Sequence, residues 1–240
     1  MMTRLPLRRL MIMVAAVFIS GAALGAPLVM SAAPAAAAPT GECPDVQVVF
    51  ARGTGEPAGV GRVGQAFVDT LRPLVGDKSV AVYAVNYPAT RDFLRAADGA
   101  NDASLFVQNI ATACPDTRIV LGGYSQGAAV IDAIALANTP TLGFTQPMPA
   151  TVADRVAAVA VFGNPSVRLL GGPLTALSPA YGAKTIDLCN GADPVCSNGN
   201  DVAAHSRYVE SGLTAQAAQF TADRLGAAAP ITTLSGHTGG

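Results

Sequence analysis

Residues Gly122–Val130 read GGYSQGAAV, a serine held between two glycines at the spacing G-x-S-x-G. The pentapeptide alone is a weak signal, because Gly and Ser are common in the turns of any fold. Its surroundings add more. The apolar run TRIVLGG (117–123) leads into it and AAVIDAIALA (128–137) leads out, so Ser125 falls where a buried strand hands over to a helix. In that setting G-x-S-x-G is the nucleophile elbow of an α/β-hydrolase, a strained turn that presents the serine Oγ at the carboxyl end of a sheet. Gly123 and Gly127 leave room where a Cβ would meet a neighbouring strand or helix. The helix start also favours a developing oxyanion. The competing reading, a serine N-cap in a Gly-rich turn, loses ground once strand, pentapeptide and helix are taken together.

Outward from the serine, short β-rich runs alternate with longer helical ones. Strands are expected at 46–51, 80–85, 117–123, 155–163 and 184–189. Helices are expected at 61–74, 103–114, 126–138 and 213–225, with Asp102 capping the second and Pro115 ending it. Near-continuous apolar strands between helices indicate an α/β fold: a central parallel sheet of about five strands, flanked by helices on both faces.

A serine hydroxyl needs a base. The chain has only two histidines. His237 stands four residues from the end, in a small, polar tail expected to be flexible. His205 follows the last strand. The hydrolase order of serine, acid, histidine asks for a carboxylate between them. Asp132 lies on the helix after the serine, Asp154 precedes a strand and Asp187 is inside one. Asp193 lies in the loop CNGADPVC, where rigidity suits a residue that must hold an imidazole in one tautomer. Asp201 is second choice. For the oxyanion, one donor is the backbone N–H of Gln126, and the loop ARGTGEP (51–57) is placed to supply the other, with Gly53 and Gly55 for close approach.

The start of the chain reads as a secretory signal spanning 1–38. Arg4, Arg8 and Arg9 precede the apolar run LMIMVAAVFI, and SAAPAAAAPT ends it with small residues. Cleavage falls after Ala37 or Ala38. The general export pathway is the default, with the Arg8-Arg9 pair a weak pointer to the twin-arginine route. The 15 basic residues less these three leave 12 against 16 acidic, a net charge of −4. No basic run survives, so a nucleic-acid partner is not expected. Residues 39–240 fit one domain with a sizeable core, and no later apolar segment is long enough for stable membrane insertion. Trp is absent and aromatics are 5%, which counts against a sugar-stacking module.

All four cysteines, Cys43, Cys114, Cys189 and Cys196, lie beyond the signal, where an exported chain meets oxidising conditions. Four allow three pairings. Cys189 and Cys196 enclose six residues and are placed to pair locally, which leaves Cys43 to tie the domain start to a helix end. Their spacing does not suit a metal site.

FARGTGEP (50–57), CPDTRIVLGGYSQGAAV (114–130), CNGADPVC (189–196) and AAHSRYV (203–209) together resemble the cutinase family of serine esterases, above all the cutinase-like esterases secreted by mycobacteria and related actinobacteria. The resemblance covers residues 43 to about 225. It implies a lidless α/β-hydrolase with Ser125, Asp193 and His205 as catalytic triad. Thr54 and Gln126 would form the oxyanion hole, Thr54 keeping a hydroxyl where fungal members carry Ser. It also implies the pairings 43–114 and 189–196. The expected protein is a monomer, secreted free or in association with the cell wall, that hydrolyses short- to medium-chain acyl esters without metal or organic cofactor. Val195 and Val202 would line the acyl site. The alternatives are a phospholipase A-type enzyme or a polysaccharide acetyl esterase on the same scaffold, and a catalytically silent secreted relative.

Overall fold

The computed structural model describes residues 41–141 and 143–226; the expected signal and the tail carrying His237 lie outside the described residues. Five strands, β1 (Val46–Ala51), β2 (Val80–Ala84), β3 (Arg118–Tyr124), β4 (Val156–Phe162) and β5 (Thr185–Leu188), form one sheet in the order β2-β1-β3-β4-β5. Every neighbouring pair is parallel. Parallel neighbours require crossover connections. These are supplied by α1 (Gly61–Leu74), α2 (Ala96–Ala113), α3 (Gln126–Leu136) and a run of short helices, α4 (Ala150–Ala153), α5 (Ser166–Leu169) and α6 (Leu174–Leu177). The last helix, α7 (Leu213–Arg224), closes the domain.

Side chains alternate across a strand, so one sheet feeds two cores. Val49, Leu121, Val159 and Val161 face α2 and α3, meeting Val107, Ile110 and Ile131. Val48, Phe50, Val120 and Phe162 face the opposite way, toward Phe67 and Leu71 of α1 and Ala218 of α7. β1 and β4 are buried along their whole length, which is why β4 reads as an unbroken apolar run and β1 is broken only by Gln47. The Phe50 ring sits between two glycines. A Cβ at Gly122 would lie 2.4 Å from it and one at Gly64 2.6 Å. The first glycine of GGYSQG thus makes room for a core aromatic rather than for the turn.

The expected strands and helices are present, with ends shifted by one or two residues except at α2. That helix begins at Ala96, not at 103. Asp102 is therefore inside the helix and does not cap it. Its carboxylate accepts from the Tyr83 hydroxyl at 2.9 Å and the Asn86 N–H at 2.8 Å, tying the helix to the end of β2. Gly99, which weakens a helix signal, is required by packing, since a Cβ there would sit 3.0 Å from both Tyr87 and Val130.

Cys43 is bonded to Cys114 and Cys189 to Cys196, as the resemblance implies. The first bond spans 71 positions. By chain entropy such a loop contributes about 4 kcal/mol, less any native strain.

Candidate active site

β3 ends at Tyr124 and α3 starts at Gln126, so the turn between them is a single residue, Ser125. Its φ of 55° and ψ of −117° are strained for any side-chain-bearing residue. The turn is held in place by the Ser125 N–H, which donates to Phe162 O of β4 at 2.8 Å. It is also too tight for any Cβ at its flanks. One at Gly123 would lie 2.2 Å from Gly127 O, and one at Gly127 would lie 2.0 Å from Ala51 O.

His205 sits in a single 3-10 turn, Ala204–Ser206. The Tyr124 hydroxyl donates to His205 O at 2.6 Å, and the two rings stack with centroids 5.1 Å apart. Gly163, at φ 57°, lets the backbone after β4 pass under the imidazole, where a Cβ would lie 2.9 Å from Cε1. Asp201, the second candidate for the acid, instead accepts from the Ala203 and Ala204 N–H groups and from Arg207. It caps the turn that carries the histidine.

Asp193 is fully buried. Its Oδ1 accepts from the Val195 N–H at 2.8 Å. Its Oδ2 lies 2.7 Å from His205 Nδ1 and accepts from the Tyr208 hydroxyl at 2.6 Å. On the far side of the ring, His205 Nε2 lies 2.9 Å from Ser125 Oγ. Three side chains from three loops thus form one continuous chain of hydrogen bonds. With Asp193 as a carboxylate, Nδ1 is the donor, which leaves Nε2 a lone pair to accept the serine proton. Burial pushes the Tyr208 phenol well above its usual range, and its bond to Asp193 adds to this, so it stays a donor. Neither Tyr124 nor Tyr208 stands out in the sequence; each becomes visible only through its hydroxyl bond and its ring contact at the site.

The loop after β1 is built around Glu56, which sequence reasoning also missed. Its carboxylate accepts from the Gly53 N–H at 2.7 Å and the Arg62 N–H at 2.8 Å. Gly53 is a close approach, with Tyr124 2.7 Å from where a Cβ would be. Gly55 is not, having open space beside it; its φ of 77° is what selects glycine. The Thr54 hydroxyl donates to Gln126 Oε1 at 3.2 Å, and Gln126 Nε2 donates to Thr90 O at 2.9 Å. The threonine hydroxyl is therefore held by the neighbouring glutamine side chain, itself anchored to the loop after β2. Gln126 opens α3, so its backbone N–H has no acceptor within the helix. Val195 is half-buried, whereas Val202 is largely exposed.

Two carboxylates set aside as triad acids form a second cluster. The Asn164 amide donates to Asp132 Oδ1 at 3.0 Å and to Asp187 Oδ2 at 3.1 Å. Burial raises the Asp132 pKa to about 7, opposed by the Asn164 bond and aided by the charge of Asp187, itself raised by burial. A carboxyl raised in the fold contributes stability that is full below its unfolded value of 3.8 and is lost as pH climbs through about 7. The difference in Tm, Asp132→Asn minus wild type, should therefore grow from pH 5 to pH 8. A difference that stays constant across thermal melts in that range would refute the raised pKa.

A parallel sheet whose central strand delivers a strained serine to an imidazole, itself backed by a buried carboxylate, defines an α/β-hydrolase. The chain belongs to the cutinase family, whose model, described as Cutinase, matches residues 42–225. It is 57% identical over 218 residues to Phospholipase Culp4 of Mycobacterium tuberculosis, covering 91% of this chain and 92% of that one. Carboxylesterase Culp1 of Mycobacterium bovis is 48% identical over 215 residues, 86% of this chain and 94% of the relative. Among solved structures, Trichoderma reesei cutinase in complex with a C11Y4 phosphonate inhibitor superposes with a TM-score of 0.61 at 31% identity, covering 76% of this chain and 77% of that one.

Proposed function

We propose that the chain is a serine carboxylesterase that cleaves short- to medium-chain acyl esters through an acyl intermediate on Ser125. The observation that carries this is the unbroken path from Ser125 Oγ through His205 to the buried Asp193, at 2.9 and 2.7 Å. His205 Nε2 takes the hydroxyl proton as Oγ attacks the ester carbonyl. Thr54 and the Gln126 N–H stabilise the oxyanion that forms. His205 then returns the proton to the leaving alcohol, and water, activated in the same way, releases the acid from the serine. Every group used belongs to this chain, so the mechanism calls for no metal or organic cofactor. Val195 and Val202 border the acyl group.

Secretion after removal of residues 1–38 is part of the same reading. Two disulfides fit an oxidising compartment, and among the described residues no helix is long and apolar enough to cross a membrane. All three triad residues come from one chain, so the chemistry needs no residue from a second copy.

A serine-directed alkyl phosphonate tests the assignment. It should modify one site, and the adduct should map to the peptide containing Ser125. It should vanish in Ser125→Ala and be much slowed in His205→Ala. Modification elsewhere, or none, would overturn the proposal.

A further inference from the structure

A groove of about 460 Å³ runs over the outer face of α3, within the size range of small-molecule sites. Its floor is the helical stripe Ala129, Asp132, Ala133 and Leu136, four positions on one face. The near end lies one turn from Ser125, and at 1.5 Å per residue the stripe extends about 10 Å from there. One wall carries Phe93 and Leu94, in the turn just before α2, which are 58% and 78% exposed. The other carries Leu169 and Leu170, at the end of α5, which are 72% and 52% exposed. Four large apolar side chains in water on either side of one trough form more than the scattered exposure usual for a monomer.

The chemistry of the lining selects the occupant. Asp132 is the one ionisable group among the residues that line the groove. Its carboxyl is buried and engaged by Asn164. Its raised pKa further reduces the charge presented to the groove near neutral pH. Apart from the Thr141 hydroxyl and the buried Ser166 hydroxyl, the rest of the lining is apolar, so an alkyl chain would cover the walls and the alanine floor at once. The trough begins at Ala129, one helical turn along α3 from the serine where the ester is cut.

We infer that this groove binds the second acyl chain of a two-chain lipid ester, lying along α3 while the first ester is held at Ser125. The inference rests on the esterase reading above and adds a substrate class to it. The relative named Phospholipase Culp4, at 57% identity, is consistent with substrates of that shape.

The test compares three substrates with the purified full chain: a phosphatidylcholine with two long chains, the lysophosphatidylcholine carrying one of them, and a soluble butyrate ester. Both lipids are presented in identical mixed micelles. Leu169→Asn removes one wall at an exposed position, and Ala133→Phe fills the floor; the first remains informative if the second misfolds. In either variant kcat/KM on the two-chain lipid should fall about tenfold or more, the effect of losing one buried apolar side chain. Activity on the lyso lipid and the soluble ester should change less than about twofold. If both micellar lipids lose activity together, the walls dock the enzyme on surfaces and the inference is wrong. It is equally wrong if neither lipid is affected. Loss of phosphonate labelling in the wild type would instead sink the esterase reading, so the two failures are distinguishable.

Discussion

Ser125→Ala should lower kcat on a soluble ester by about a million-fold, the scale on which a nucleophile and its base act as a unit, while thermal unfolding moves by no more than about 2 °C. The first half follows from the geometry. His205 Nε2 lies 2.9 Å from Oγ, and without that hydroxyl nothing at the elbow can form the acyl intermediate. The second half follows from what the turn does and does not depend on. Its conformation is imposed by the bond from the Ser125 N–H to Phe162 O and by the tight passage of Gly123 past Gly127. Alanine keeps the N–H and the Cβ, so it inherits the same φ of 55° and the same strain. Ser125→Gly gives a useful contrast. It should be equally inactive but more stable, since glycine relieves strain of about 1–3 kcal/mol. An alanine variant with more than about 1% of wild-type kcat in contaminant-free protein would exclude Ser125 as the nucleophile.

The strand-elbow-helix setting made Ser125 readable because its signature is local: an apolar run, two glycines at fixed offsets, and a helix. His205 was legible by scarcity, with two histidines in the chain and one near its end. Asp193 was legible through chain order and the short cysteine loop around it. What the sequence hid is contact between distant positions. Asn164 reaches Asp132 across 32 positions and Asp187 across 23. No spacing rule links them: Asp132 is on α3, Asn164 follows β4 and Asp187 is on β5. The same holds for the hydroxyl of Thr54, whose partner is the side chain of Gln126, 72 positions away and expected only to lend its N–H. The early start of α2 was hidden for a different reason. Gly99 lowers local helix propensity, and only the packing of Tyr87 and Val130 against it explains why the helix runs through.

Asp193→Asn should lower kcat by about ten-thousand-fold with the fold intact, and the bonds around the carboxylate say why. An asparagine has one oxygen and one NH2 to offer where Asp193 has two oxygens. Placing the NH2 at the Oδ1 position would set it against the Val195 N–H, donor against donor, at a fully buried position. Placing it at the Oδ2 position faces Tyr208 and His205 Nδ1. The phenol can turn and accept, and an imidazole can accept if its proton moves to Nε2. The second arrangement avoids the donor clash, with the phenol still accepting from the Asn190 N–H and turning its proton toward Cys196 Sγ, so it is the one the variant adopts. It leaves Nε2 carrying a proton and pointing it at Ser125, where it can no longer accept one. The defect is thus one of tautomer, not of position. Two measurements separate this from simple misfolding. Ring-nitrogen NMR of His205 should show the proton on Nε2 in the variant and on Nδ1 in the wild type. The kcat/KM of the variant should stay far below that of the wild type although its thermal unfolding is unchanged. A variant within about tenfold of wild type, or one whose His205 keeps its proton on Nδ1, would show that Asp193 does not set the state of the base.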